Sequence, residues 1–303
     1  MISGHVGELA ALLTAIFWTV TALSFEKASK SVGSLSVNII RLVIAFLFIS
    51  VYSWVSRGYF FPTDASTHAW LWLMLSGFVG FVLGDLFLFK SYMVMSARVS
   101  MLIMALAPPM TALFGWIFLG EILTWYHGAG MVLTLTGIAM VVLDQPGHEE
   151  GADPKKFKLS YPLSGLLLAF GGAVGQALGL ILSKIGMQNY DAFASTQIRI
   201  IAGIIGFAAI FTVFGRWSRV FSAVKHKSAM SWLTLGAFFG PFLGVSFSLI
   251  AVQNTHAGVA ATIMAIVPVL IIPPSVFFFG EKVTPKEILG AILSVTGVAI
   301  LFL

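Results

Sequence analysis

Apolar residues run along this 303-residue chain in blocks longer than the helices of a soluble domain present. Ser228 to Gly280 passes 53 residues without one Asp, Glu, Lys or Arg, and Val99 to Gly120 passes 22. A bilayer core about 30 Å thick is crossed by roughly 20 residues of helix, so the first run holds two spans and the second holds one. The same pattern predicts ten helices in all, near residues 7–26, 36–56, 70–92, 97–119 and 124–143, then 162–184, 193–214, 231–250, 257–279 and 284–303. The polar stretch 144–161, with Pro, Gly, acids and three lysines, reads as a linker.

The two sets of five repeat one another. Gly7 and Arg41 recur as Gly165 and Arg199, at an offset of 158. Beyond them the offset is 160 without a gap, and 24 of the 72 positions from 72 to 143 are identical to their partners. Trp72-Leu73, Gly80, Gly84, Pro108, Gly120-Glu121 and Thr136-Gly137 all return. The expected domains are therefore 1–143 and 162–303, joined by 144–161. Five is odd, so the second repeat must enter the membrane from the opposite face, which gives inverted repeats of the kind found in transporters. Local signals agree with these bounds. Thr284-Pro285-Lys286-Glu287 has the form of a capping box, and Gly171, Gly175 and Gly179 form a small-residue stripe suited to close helix packing.

Composition and charge sharpen this. The chain is 58% hydrophobic and 10% charged, against about 25% charged in a soluble domain, which excludes a soluble enzyme or a nucleic-acid module. The net charge of +5 is a matter of topology. Thirteen of the seventeen Lys and Arg fall on the side holding the loops after spans 1, 3, 5, 7 and 9, whereas Arg57 and Lys184 lie on the other. The positive-inside rule then places both termini outside. There is no cysteine, hence no disulfide framework. The N-terminal segment lacks a basic start and reads as a retained first span. A prokaryotic plasma membrane is the expected location.

With ten spans in two repeats, the chain resembles the drug/metabolite transporter superfamily, and within it the EamA group. The residues carrying the resemblance are Phe17-Trp18, Arg41 and Arg199, Pro108 and Pro268, and Leu119 to Thr124 with Gly280 to Thr284. Each repeat also closes on a Gly-containing motif, at 130–139 and 290–299. The resemblance implies an all-α membrane protein, cytoplasmic termini, which oppose the charge bias, and export of amino acids or other metabolites.

Ionisable residues inside a membrane are costly and are functional candidates by default. Arg41 and Arg199 are placed to draw an anionic group into a vestibule. Glu121 and Glu281 lie on opposite sides, which suggests gate pairs of Arg41 with Glu281 and of Arg199 with Glu121. Asp85 lies inside the third span and has Val245 as its counterpart. It either pairs across helices with a base such as Arg41, Lys90 being poorly placed five residues on in the same span, or takes up a proton and couples transport to it. Trp18 and its counterpart Gln176 are the expected walls of a central pocket, with Thr14, Asn38, Tyr92, Gln197, Gln253 and Asn254 as further polar candidates. The six His residues show no metal-ligand spacing and no hydrolase motif occurs, so no enzyme activity, metal or cofactor is expected.

The reading reached is a secondary transporter exporting small polar metabolites by alternating access around a central cavity. Its expected partners are the metabolite and the lipid bilayer, with no nucleic acid, and the chain is a monomer or homodimer. The alternatives are an uncoupled facilitator, a carrier of sugars or nucleotides, and a receptor or scaffold without transport.

Overall fold

The computed structural model describes residues 4–94, 103–144, 162–279 and 283–303, and all regular structure among them is helical. The linker residues 145–161, Glu281 and the side chain of Tyr92 lie outside what is described. In chain order the helices are α1 (Val6–Val32), α2 (Ser34–Arg57), α3 (Thr67–Gly77), α4 (Asp85–Val94), α5 (Ala107–Leu119) and α6 (Trp125–Asp144). They continue as α7 (Leu163–Met187), α8 (Ala192–Val213), α9 (Trp217–Val224), α10 (Lys227–Ala237), α11 (Val245–Asn254) and α12 (Ala257–Met264). The short α13 (Val267–Leu270) and α14 (Ile272–Phe279) lead to α15 (Pro285–Ile300).

Among the described residues, seven helical stretches are long and apolar enough to cross a membrane: Val6–Ser29, Leu35–Arg57, Thr67–Leu88, Leu163–Met187, Ala192–Val213, Lys227–Asn254 and Ala257–Pro274. At the other three predicted places stand α5, of 13 residues, α6, of 20, and α15, of 16. Many outward-facing side chains are large and apolar, among them Trp54, Val55, Trp116, Val213 and Phe277. In water these would be a liability, whereas lipid tails cover them without cost.

Two helices contain a wide turn. Between α3 and α4 the backbone passes through a π-helical segment, Phe78–Gly84, and between α10 and α11 through another, Phe238–Gly244. The second contains Pro241, which has no N–H to give to a helical ladder. The two lie 160 residues apart, the same offset as the sequence repeat. π-helical turns are rare and occur frequently at functional sites.

Packing crosses between the halves. Helix α1 lies against α10, the second π segment, α11 and α12, while α7 lies against α3, the first π segment, α4 and α5. The glycine stripe is what lets α7 approach. A Cβ on Gly175 would stand 2.9 Å from Cα of Gly84, and one on Gly179 would stand 2.9 Å from Cα of Gly80. Helix α15 packs along α6 by matched contacts. A side chain on Gly137 would run into the Gly290 carbonyl, and one on Gly290 would meet that of Gly137; Gly130 and Gly297 are related in the same way. Ser294 Oγ donates to Thr134 O at 3.1 Å. Backbone stands in the way at Gly137, so Gly137→Val is expected to destabilise the protein by about 1–3 kcal/mol. Denaturant unfolding in detergent, followed by tryptophan fluorescence, measures this.

The capping box at the start of α15 forms as predicted: Thr284 Oγ1 accepts from Glu287 N at 3.2 Å, and Glu287 Oε2 accepts from Thr284 N at 2.7 Å.

Candidate functional site

The first π segment gathers four ionisable or amide side chains from four helices. Asp85 follows directly on Gly84, and is buried. Arg41 of α2 donates from Nη2 to Asp85 Oδ2 at 2.5 Å. From α7, Gln176 donates from Nε2 to Asp85 Oδ1 at 3.0 Å and to Gly80 O at 3.3 Å. Both of these acceptors carry lone pairs only, which settles which end of the amide faces them. Arg199 of α8 comes in from the other side of Gly80. Its Nη2 would stand 3.5 Å from a Cβ at that glycine, and its guanidinium carbon lies 4.9 Å from the centre of the Phe81 ring.

Of the sequence alternatives for Asp85, pairing with Arg41 is the one observed. Such a pair is held in the membrane by mutual attraction, since each charge alone would be expensive there. The amide of Gln176 adds a third helix and ties the two halves together at the pair.

The second π segment has an apolar partner in the same place. Trp18 sits on Gly244, where a Cβ would come within 2.6 Å of its Nε1, and Thr21 sits on Gly240. Thr14, one turn before Trp18, donates to Ala10 O at 2.8 Å and reaches Gly244 O at 3.4 Å. Trp18 and Gln176 thus take equivalent positions, each on the π segment of the opposite half.

Other candidates lie elsewhere. Gln197 is two residues from Arg199 and so about 200° around the helix. Its Nε2 donates to Ser50 Oγ and to Phe60 O, both at 2.8 Å, clamping the chain after α2. Asn38 is buried in α2. Gln253 donates to Gln188 O at 2.7 Å and Asn254 to Ile250 O at 2.8 Å, both structural bonds.

The expected gate partner of Glu121 is corrected by the structure. Glu121 takes Lys184, not Arg199, with Lys184 Nζ at 2.5 Å from Oε1. Gly120, at φ 66, turns the chain at the end of α5 so that the Glu121 side chain folds back over Gly115. Its second oxygen accepts from Ala257 N at 2.7 Å, satisfying an orphan amide at the start of α12. Lys184 also donates to Thr255 O at 2.7 Å, and Thr255 Oγ1 donates to Glu8 Oε1 at 2.6 Å. Two acids and one base, with Thr255 between them, therefore hold α1, α5, α7 and the turn between α11 and α12 together. Glu121, Lys184 and residues 253–256 border an open cleft of about 480 Å³. The Arg41–Glu281 pair lies outside the described residues, and Arg41 is engaged by Asp85.

A second polar clamp, absent from the sequence reading, lies on the same side. Arg57 ion-pairs with Asp64, and Tyr190 donates to Asp64 Oδ1 at 2.9 Å. Burial first, with Asp64 holding the phenolic proton and Arg57 opposing, pushes the Tyr190 hydroxyl up to about 12. Because the folded value lies above the ordinary value of about 10, its contribution to stability is complete below pH 10. It is lost as pH rises toward 12. Tyr190→Phe is expected to remove a phenol that ionises near pH 12 in an ultraviolet titration.

The comparisons with known proteins decide the family. The EamA-like transporter family matches this chain twice, over residues 5–143 and 163–303. The chain belongs to that family. Among similar proteins is human "Solute carrier family 35 member G1", 25% identical over 290 residues, covering 95% of this chain and 76% of that protein. An "Uncharacterized transporter YvbV" of Bacillus subtilis (strain 168) is 24% identical over 197 residues, covering 64% of this chain and 59% of its own length. A solved crystal structure superposes with a TM-score of 0.72 over 97% of this chain and 94% of that one, at 17% identity, a likeness of fold. This member of the EamA-like family is thus a multi-pass membrane transporter, and the polar cluster lies inside its helices.

Proposed function

We propose that this protein is a secondary transporter that exports small polar metabolites, amino acids or other carboxylates, in the plasma membrane of a prokaryote. It works by alternating access around a central site between two inverted five-span repeats, 1–143 and 162–303, with 144–161 linking them. The observation that carries the reading is the Arg41–Asp85–Gln176 network, buried at a π-helical turn and contributed by both halves. Charges are retained inside membranes for pathways and relays, and an interface between halves is where two packings can exchange.

Several contacts support the repeat. The two π segments lie 160 residues apart, and α6 and α15 touch through Gly130, Gly137, Gly290 and Gly297 in reciprocal pairs. Reciprocity of this kind is what a two-fold axis produces. Gln176 and Trp18, at equivalent positions, are the proposed cargo contacts, with Thr14 one turn from Trp18, and Asn38 and Tyr92 are further proposed candidates. Gln197 spends both its donors on the protein and is better read as structural. Glu121 with Lys184 forms the proposed gate on one side.

Asp85 is the proposed coupling carboxylate, because a proton and Arg41 compete for the same group. Counterflow in proteoliposomes tests the whole reading. A carrier exchanges labelled cargo for unlabelled cargo, whereas a receptor or scaffold exchanges nothing. If Asp85→Asn leaves pH-driven uptake unchanged, the coupling role is removed and the carrier reading stands.

A further inference from the structure

The two halves carry an arginine at equivalent positions, and only one of the two is neutralised. Arg41 has Asp85. The position equivalent to Asp85 in the second half is Val245, and Arg199 has no ion-pair partner among the described residues. It is 5% exposed, its Nε is buried without an acceptor, and its charge rests against the Phe81 ring and the bare backbone of Gly80. A guanidinium keeps its proton where other bases would lose theirs, so the positive charge persists. An uncompensated ion at this depth is costly to keep, and a ligand that brings the missing negative charge removes that cost.

We infer that Arg199 is the receptor for a single negative charge on the cargo, and that the group it takes is a monocarboxylate. This rests on the transport reading above and adds to it the charge and orientation of the cargo. One free positive charge is balanced by one carboxylate, which matches the guanidinium fork with two parallel hydrogen bonds. A phosphate monoester, with its charge of about −1.5 to −2, would leave the loaded site negative inside the membrane. Gln176 lies on the same glycine as Arg199. Its nitrogen is held by Gly80 O and Asp85 Oδ1, which leaves the amide oxygen for an N–H or O–H of the cargo. The arrangement therefore favours a carboxylate with a neutral donor beside it, such as a 2-hydroxy acid. On Arg41, Asp85 already fills the role that the cargo fills on Arg199.

The test is thermal unfolding of the purified protein in detergent with L-lactate and propionate, against lactamide, propionamide and methyl phosphate. Stabilisation by a ligand reports its binding to the folded state. The acids are expected to raise the midpoint, L-lactate more than propionate, and the amides and methyl phosphate are not. Arg199→Gln is expected to weaken acid binding at least about tenfold without lowering the midpoint of the unliganded protein, because it removes a stranded charge. Arg199→Lys, which keeps the charge and loses the fork, is expected to fall between the two. If the amides stabilise as well as the acids, if Arg199→Gln keeps the full acid effect, or if no compound in the panel acts, the inference is overturned. Counterflow with labelled L-lactate keeps the two readings apart: an acid that binds through Arg199 without exchanging leaves the anion site in place and removes transport.

Discussion

Asp85→Ala is expected to cost about 3–5 kcal/mol of stability. The mechanism is not the loss of one good contact but the exposure of a bad one. Arg41 ends 2.5 Å from the carboxylate, and its Nε already lies buried without an acceptor. Removing Asp85 leaves a guanidinium inside apolar helices with no counter-charge, and breaking a buried pair from one side typically costs this much. Gln176 loses an acceptor in the same step. The pair itself is worth far less than this figure suggests, because both ions were desolvated to make it. Replacing both by apolar residues of similar volume, Asp85→Leu with Arg41→Met, is therefore expected to recover most of the loss. Unfolding of the four proteins of this double-mutant cycle in one detergent gives the coupling directly. Additive effects in the cycle would mean that the two charges are screened and do not form the pair described.

Sequence pattern alone reaches an all-helical chain with membrane-length apolar stretches and the close approach of the Gly175–Gly179 stripe, because apolar length and small-residue spacing are local properties. The capping box at Thr284 is legible for the same reason: all its atoms come from four consecutive residues. Partner choice is where local reading ends. For Asp85, helix spacing already disfavours Lys90, five residues on in the same span, but which base crosses from another helix is decided only in three dimensions, where Arg41 meets it. The symmetry of the repeat matches Glu121 to Arg199. The structure gives it Lys184 instead, because the turn at Gly120 folds the side chain back toward α7 and the start of α12. The counterpart of Lys184 is Glu26, so a search for symmetric pairs passes over it. The π segments leave a trace in the sequence, two glycines four apart at 80/84 and 240/244 with Pro241 between the latter. Ordinary helix packing leaves the same trace. Gln197 looked like Gln176 on paper, as a polar residue deep in a span. The two differ only in which way the helix turns them, and that depends on phase relative to neighbouring helices.

Glu121→Ala is expected to loosen one end of the molecule while leaving the rest of the fold in place. A single carboxylate there neutralises Lys184, caps the start of α12 and anchors the end of α5. Loss of an N-terminal cap costs about 0.5–2 kcal/mol, and the stranded ammonium of Lys184 adds to it, though its position beside an open cleft lets water share the charge. The consequence for access is larger than that for stability. The chain has no cysteine, so one introduced thiol reports on one place without background. Ala260 is fully buried one turn below the capped amide of Ala257. In an Ala260→Cys protein the thiol is expected to react slowly with a membrane-impermeant maleimide, and the added Glu121→Ala change is expected to raise that rate about tenfold or more. A tenfold change in the open population corresponds to about 1.4 kcal/mol, within what the lost cap and ion pair supply. Lys184→Met keeps the cap and removes only the cation, so it is expected to have a smaller effect. Equal and unchanged rates in all three proteins would show that this acid–base contact fastens the loops without governing access to the interior.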